Sequence, residues 1–242
     1  MIDIKKIHYC WFGRTPKPSC FDQCFKSWCT FFPDYEIIEW NESNYDFMTI
    51  DYTREAYEAK KFAFVSDYAR LDILYQHGGI YFDIDVEVLK PFGDILLNDG
   101  FAGMDQFGFV ATGLVLGCKP GLTIIKEMRD DYLNRHFKRK NNSYDLTGCP
   151  AIQTDFLQKK GYKKMQIIQK INGMKIYPAF YFCPKSRGNL SIKTSEAYTI
   201  HYGNASWQPT HQKIKRKILS CFGENVYYLI QLKKAIKKKI YF

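Results

Sequence analysis

Asp83 and Asp85 stand one residue apart in the run Gly78-Gly79-Ile80-Tyr81-Phe82-Asp83-Ile84-Asp85-Val86-Glu87-Val88. Ile80, Phe82, Ile84, Val86 and Val88 alternate strictly with Tyr81, Asp83, Asp85 and Glu87, so an unbroken strand from Ile80 to Val88 turns both aspartates to one face. Two hard oxygen ligands aimed at one point suit Mg²⁺ or Mn²⁺. Such ions keep several waters and complete their shells with phosphate oxygens of a substrate. The same alternation also describes a half-buried strand with a solvated acidic face. The surrounding elements decide between the two.

Those elements alternate between β and α. Ile4 to Phe12 is apolar and strand-like, Pro16-Lys17-Pro18 is a loop, Phe21 to Phe31 has helical spacing, and Tyr35 to Trp40 reads as a strand. A helix predicted over Tyr57 to Gln76, with Ser66 as a local cap, stops at Gly78-Gly79 and leads at once into the aspartate strand. Asp67 and Arg70 lie three apart on one face of that helix. Short strands are expected at Phe101 to Met104, Ala111 to Gly117, Lys175 to Phe182 and Ala197 to Tyr202. Helices are expected over Gly121 to Phe137 and Ala151 to Gly161, separated by a polar loop at Lys138 to Tyr144. This order implies an α/β sandwich with a mostly parallel sheet, whose ligands sit at the carboxyl ends of the strands.

Placed in that order, several segments resemble one family. They are Ile7-His8-Tyr9-Cys10-Trp11-Phe12-Gly13, the stretch Pro33 to Asn41, Phe64-Val65-Ser66-Asp67-Tyr68-Ala69-Arg70, the aspartate run itself, and His201 through Ser206-Trp207. Together they are similar to the DXD-containing sugar transferases known as glycosyltransferase family 32, over roughly residues 4 to 210. Two positions depart from the family pattern: Tyr202 replaces a second histidine after His201, and Gly203-Asn204-Ala205-Ser206 precedes Trp207. The resemblance implies a GT-A-type fold, a nucleotide-sugar donor of the UDP-galactose or UDP-glucose type, Mn²⁺ or Mg²⁺ dependence and retention of configuration. Its bacterial members build capsular or lipopolysaccharide chains, so a lipid-linked or soluble saccharide is the expected acceptor.

Roles follow for particular residues. Asp85 is the first expected metal ligand, where the ion would bridge the donor's diphosphate and neutralise the departing nucleotide. Asp83 would bind sugar or ribose hydroxyls and contribute to the metal site through water. Asp67 and Arg70 would contact the sugar or a phosphate oxygen; the structural alternative is a surface ion pair worth a few tenths of a kcal/mol. Trp11 resembles the family's base-stacking aromatic, Tyr81 shares the aspartate face, and His201, Ser206 and Trp207 would complete the metal and diphosphate site. Thr147-Gly148-Cys149-Pro150 lies where the family has an acceptor-side turn. No carboxylate stands out as a nucleophile, which leaves front-face attack with the leaving phosphate as base. Asp83-Ile84-Asp85-Val86 also resembles the nucleophile motif of haloacid-dehalogenase-type phosphatases. The downstream Gly93-Asp94 has the wrong spacing for their metal motif. A non-catalytic, membrane-peripheral saccharide-binding protein is the remaining alternative.

Composition bounds these readings. A chain of 242 residues, 46% hydrophobic and 17% aromatic, can bury one substantial core. Eight cysteines in a chain without a secretion-type apolar leader are expected to be reduced thiols. The net charge of +10 is uneven: residues 211–242 carry +8 and residues 1–210 only +2. Leu229, Leu232, Ile236 and Ile240 fall at helical spacing among the lysines of that last segment. The expected organisation is a catalytic domain over 1–210 and a basic amphipathic helical tail over 211–242. The tail would hold the enzyme at an anionic cytoplasmic leaflet. No aromatic-interleaved basic surface in the body suggests nucleic-acid binding.

Overall fold

The computed structural model describes residue 2, residues 4–184 and residues 195–203; the tail, Ser206 and Trp207 lie outside them. The elements are β1 (Lys6–Cys10), α1 (Phe21–Phe31), β2 (Glu36–Trp40), α2 (Asp51–Glu58), α3 (Phe62–His77), β3 (Gly79–Tyr81), β4 (Val86–Val88) and β5 (Gly100–Gly103). They continue with β6 (Leu116–Cys118), α4 (Thr123–Asp130), α5 (Cys149–Gln158), β7 (Gln169–Ile171), β8 (Met174–Tyr177), α6 (Ala179–Phe182) and β9 (Thr199–His201). Seven strands form the main sheet in the order β2-β1-β3-β6-β5-β8-β7, and β4 pairs with β9 in a second, small sheet. The pairings run β2, β1, β3, β5 and β8 in one direction, with β6 and β7 reversed. The architecture is therefore mixed α/β with a mostly parallel sheet, as the order of elements implied.

Both faces of the sheet are buried. Ile7 and Tyr9 of β1, Ile80 of β3 and Phe101 of β5 pack into one core with Trp28 of α1 and Phe182 of α6. Cys10, Tyr81 and Ala102, one residue on in each strand, enter the opposite core with Val65, Leu71 and Leu74 of α3. This is the period of two expected of strands covered on both sides.

The expected continuous strand from Ile80 to Val88 is two strands in two sheets. After Phe82 N–H donates to the His8 carbonyl (3.1 Å) and Asp83 N–H to that of Gly113 (3.1 Å), the chain turns, with Val86 N–H donating to the Asp83 carbonyl (3.1 Å). Ile80, Phe82, Val86 and Val88 still share one core, because α1 covers both strands. Trp28 Nε1–H donates to the Val86 carbonyl (2.8 Å) and its ring stacks on Phe82, while Ser27 Oγ accepts from Val88 N–H (2.9 Å). The apolar alternation survives the break, and so could not announce it.

Other boundaries differ for similar local reasons. The helix expected over Tyr57 to Gln76 begins only at Phe62, as α3; Tyr57 and Glu58 end the separate helix α2, divided from it where Lys60 takes φ 56° and Lys61 N–H closes back on the Ala56 carbonyl (2.9 Å). Ser66 is not a cap; it lies inside α3, its hydroxyl donating to the Phe62 carbonyl (3.3 Å). α3 does stop at Gly78 and Gly79, both at positive φ. A Cβ on Gly79 would fall 2.6 Å from the Lys6 carbonyl oxygen, so only glycine lets β3 approach β1 there. α4 ends at Asp130 instead of reaching Phe137, β6 takes up only the end of Ala111 to Gly117, and the expected strand to Phe182 becomes α6 after Pro178. No helix among the described residues is long and apolar enough to cross a membrane, and no disulfide joins any two described cysteines.

His8 fastens β1 to the end of β2 and to the start of β3. Its ring is fully buried, Trp40 Nε1–H donates to Nδ1 (3.0 Å), and Nε2 lies 2.9 Å from the Gly78 carbonyl. The indole can only donate, so Nδ1 accepts and Nε2 carries the proton. Burial lowers the His8 pKa to about 4, against the hydrogen bond to Gly78. The neutral ring is the folded form. The unfolded chain takes up the proton first as pH falls from 6.5, so this stability is full above that pH and lost progressively toward pH 4. On the order of 3 kcal/mol is at stake. Thermal midpoints of the parent should fall over that range by more than those of the non-titrating variant His8→Gln; parallel curves would contradict this account.

Candidate active site

The buried guanidinium of Arg70 organises the site. α3 carries Asp67 and Arg70 on one face, and Arg70 Nη2 lies 3.1 Å from Asp67 Oδ1 and 3.1 Å from Asp83 Oδ1. Arg70 Nε–H donates to the Ser66 carbonyl (3.1 Å), Nη1 contacts Cys149 Sγ (3.4 Å), and the cation stands 5.0 Å from the Tyr81 ring centroid. The side chain is only 4% exposed. Burial alone would lower the Arg70 pKa, but Asp83, Tyr81, Cys149 and Asp67 outweigh it and hold the group charged. This pair is buried, unlike the surface ion pair weighed from the sequence.

Asp67 is placed for a different balance. Burial raises its carboxyl above the ordinary value, with Arg70 and the thiol and backbone N–H of Cys149 acting against that rise. Cys149 begins α5 beside Pro150, and burial holds its thiol protonated, so it donates to Asp67 while its sulfur accepts from Arg70. The Gly148-Cys149-Pro150 turn, which carried no role in the sequence reading, thus ties α5 to α3.

Asp83 emerges from β3 with one oxygen already engaged. Oδ1 accepts from Arg70 and from the Tyr81 hydroxyl (3.0 Å), and Tyr81 is itself 1% exposed. Oδ2 lies against Gly113: a Cβ there would fall 2.1 Å from Oδ2 and 3.0 Å from Arg70 Nη1. The sequence reading missed Gly113, because a lone glycine in Ala111-Thr112-Gly113-Leu114 looks like any turn.

Asp85 sits across the turn in the second sheet's arm. β4 and β9 pair with Val86 opposite His201, which brings His201 Nε2 to 3.0 Å from Asp85 Oδ1. Tyr202 N–H donates to the Asp85 carbonyl (3.0 Å), and its hydroxyl donates to Glu87 (2.6 Å) and accepts from Gln23 of α1 (3.1 Å). Tyr202, one of the two departures noted above, therefore clamps β9 onto β4. Ligand atoms of Asp83, Asp85 and His201 all lie within 4.8 Å of one another. Two carboxylates and an imidazole at that separation fit a divalent cation with open positions.

Trp11 stands at the same end of the sheet. The register His8↔Tyr81 sets Cys10 level with Asp83 and Trp11 just beyond it. Trp11 is half-buried, its N–H donating to the Trp40 carbonyl (2.9 Å) and its indole to that of Thr15 (2.7 Å).

Residues 18–102, a span holding Asp67, Arg70, Asp83 and Asp85, match the family described as the glycosyltransferase sugar-binding region containing a DXD motif. Over those residues the chain is similar to the DXD-containing glycosyltransferases. An uncharacterized glycosyltransferase of Acanthamoeba polyphaga mimivirus is 26% identical over 183 residues, covering 72% of this chain and 68% of that protein. Among solved structures the PaToxG glycosyltransferase superposes with a TM-score of 0.50 at 20% identity, over 64% of this chain and 68% of the other. The shared fold is of the GT-A type anticipated from the sequence.

Gly113 gives the sharpest test of this geometry. Gly113→Ala should displace the Asp83 carboxylate and cost turnover about a hundredfold, the scale of an ångström-level misplacement, with far-UV circular dichroism unchanged. Near-parental turnover would show that Asp83 does not need its present position.

Proposed function

We propose that this glycosyltransferase moves a hexose from a nucleotide sugar, of the UDP-galactose or UDP-glucose type, to a saccharide acceptor with retention of configuration. The convergence of Asp83, Asp85 and His201 within 4.8 Å carries the reading. Mn²⁺ or Mg²⁺ is the ion such a site would hold, and the imidazole in the donor set favours Mn²⁺. Once bound, the ion supplies positive charge to the donor's diphosphate.

The chain's own residues do the rest. Asp85 and His201 hold the ion from the β4–β9 arm, and Ser206 is proposed to join them. Asp83, one oxygen fixed by Arg70 and Tyr81, presents the other toward the ion's water or a donor hydroxyl. Asp67 and Arg70 set the wall against which the donor sugar lies, and Trp11 stacks the base, an interaction worth about 1–3 kcal/mol. Trp207 closes over the phosphates. The acceptor hydroxyl attacks from the side of the leaving phosphate, which takes its proton; the residues orient the two.

We further propose that the acceptor belongs to a bacterial capsule or lipopolysaccharide chain, soluble or lipid-linked, and that the basic segment 211–242 holds the protein on the cytoplasmic face of an anionic membrane. The +8 charge of that segment supports this.

A nucleotide-sugar panel with Mn²⁺ tests the chemistry. One nucleotide sugar should release nucleoside diphosphate, and Asp85→Ala should reduce that release by at least about a hundredfold without unfolding the protein. Phosphate released from simple monoesters would instead support the phosphatase alternative, and no release from any compound would support a binding module.

A further inference from the structure

The small net charge of residues 1–210 hides a one-sided region. Between residues 156 and 184 there are six lysines and no Asp or Glu. The stretch runs from the end of α5 through β7, an edge strand of the main sheet, to α6. Residues 163–168 are exposed without interruption, with Met165 49%, Ile167 51% and Ile168 43% exposed. Gln166 spans two neighbours: its Nε2 donates to the Asp105 carbonyl (2.7 Å) and its Oε1 accepts from Ala179 N–H (2.9 Å). That bond sets the segment against the start of α6, where Phe180 is 40% exposed. Three exposed aliphatic side chains thus stand on a segment bonded to the start of α6, next to an exposed aromatic ring.

Among the described residues, most of the charges around this surface meet no carboxylate. Lys160 reaches Glu127 (3.0 Å), but among the described residues Lys163, Lys164, Lys170 and Lys175 form no ion pair. The carboxylate of Asp105 is turned into its own loop, accepting from Phe107 and Phe109 N–H. The register of β7 and β8 places Lys170 directly opposite Lys175, a like-charge pair that weakens a sheet.

We propose that this face, the β7 edge with the start of α6, docks on an anionic lipid surface. The lysines meet the headgroups, and Met165, Ile167, Ile168 and Phe180 enter the boundary with the acyl chains. A lipid surface offers negative charge and an apolar phase side by side. A nucleic acid offers the charge, but three aliphatic side chains find no base to stack on or hydrogen-bond. A second copy of the face, or the basic segment 211–242, brings charge of the same sign. The Met104↔Val110 bridge closes a hairpin that runs from this face to Gly113 at Asp83, so docking here also fixes how far the site stands from the lipid.

Full-length protein and two variants, Met165→Ser/Ile167→Ser/Ile168→Ser and Lys163→Gln/Lys164→Gln/Lys170→Gln, separate this face from the C-terminal segment, which all three retain. Co-sedimentation is measured with phosphatidylcholine vesicles with and without phosphatidylglycerol, alongside thermal midpoints. The parent should bind only the anionic vesicles. The apolar variant should lose about tenfold in affinity, and the lysine variant about a hundredfold, at roughly one charge's attraction for each lysine removed, with midpoints near the parent's. Parental affinity in both variants, equal binding to neutral vesicles, or no binding by the parent would overturn the proposal. If one variant unfolds early, the other decides alone.

Discussion

A single buried cation, Arg70, is the charge on which the arrangement of the site depends. It comes from the middle of α3, yet it holds Asp83 at the end of β3 and touches Cys149 at the start of α5. Two consecutive elements and a third some seventy residues further along the chain therefore meet at one guanidinium. Removing either kind of partner from such a buried cluster strands uncompensated charge, a cost of several kcal/mol. The arrangement is correspondingly exact: Nη2 serves both carboxylates at 3.1 Å, and Tyr81 takes up the same Asp83 oxygen. The other Asp83 oxygen lies against Gly113, so the carboxylate is already oriented before any ligand arrives. Such preorganisation is what an electrostatic site requires.

The second half of the site is held by other means. Asp85 belongs to the arm formed by β4 and β9, which is fixed by α1 through Trp28 and Ser27 and by Tyr202 through Glu87 and Gln23. Only Ile84 separates the two aspartates in sequence, yet they are anchored to separate sheets. The turn between them is therefore where the two supports are joined, and His201 closes it from the far strand. Any ligand held by both aspartates would contact both supports at once.

Much of this was legible beforehand because it is written locally. The helix from Phe21 to Phe31, the stop at Gly78-Gly79 and the apolar faces of β1 and β3 depend on neighbours a few residues away. So does the meeting of Asp83 with Asp85, although a turn produces it where strand alternation had been expected. The features that escaped are those fixed by distant partners. Arg70 reaches Asp83 across the α3–β3 junction, so Asp67 and Arg70, read from the sequence as donor contacts with a surface ion pair as the alternative, belong to a buried network. Gly113 matters only because Asp83 arrives beside it, and His8 only because Trp40 and Gly78 do. Lys60 adopted a left-handed conformation that no glycine advertised, moving the start of the expected helix to Phe62 and ending the unexpected α2 before it. The basic edge of the sheet escaped for a plainer reason: net charge averages over faces that the fold separates.

Calorimetric titration of the full chain with a panel of nucleoside diphosphates, with Mn²⁺ and with a chelator, tests the central claim most directly. The account requires that at least one nucleoside diphosphate bind at a single site with Mn²⁺, and that its affinity fall by more than about tenfold, or roughly 1.4 kcal/mol, when the ion is removed. Equal affinity in the chelator, or no binding of any nucleoside diphosphate with the ion present, would contradict the assignment of Asp83, Asp85 and His201 as a metal and diphosphate site.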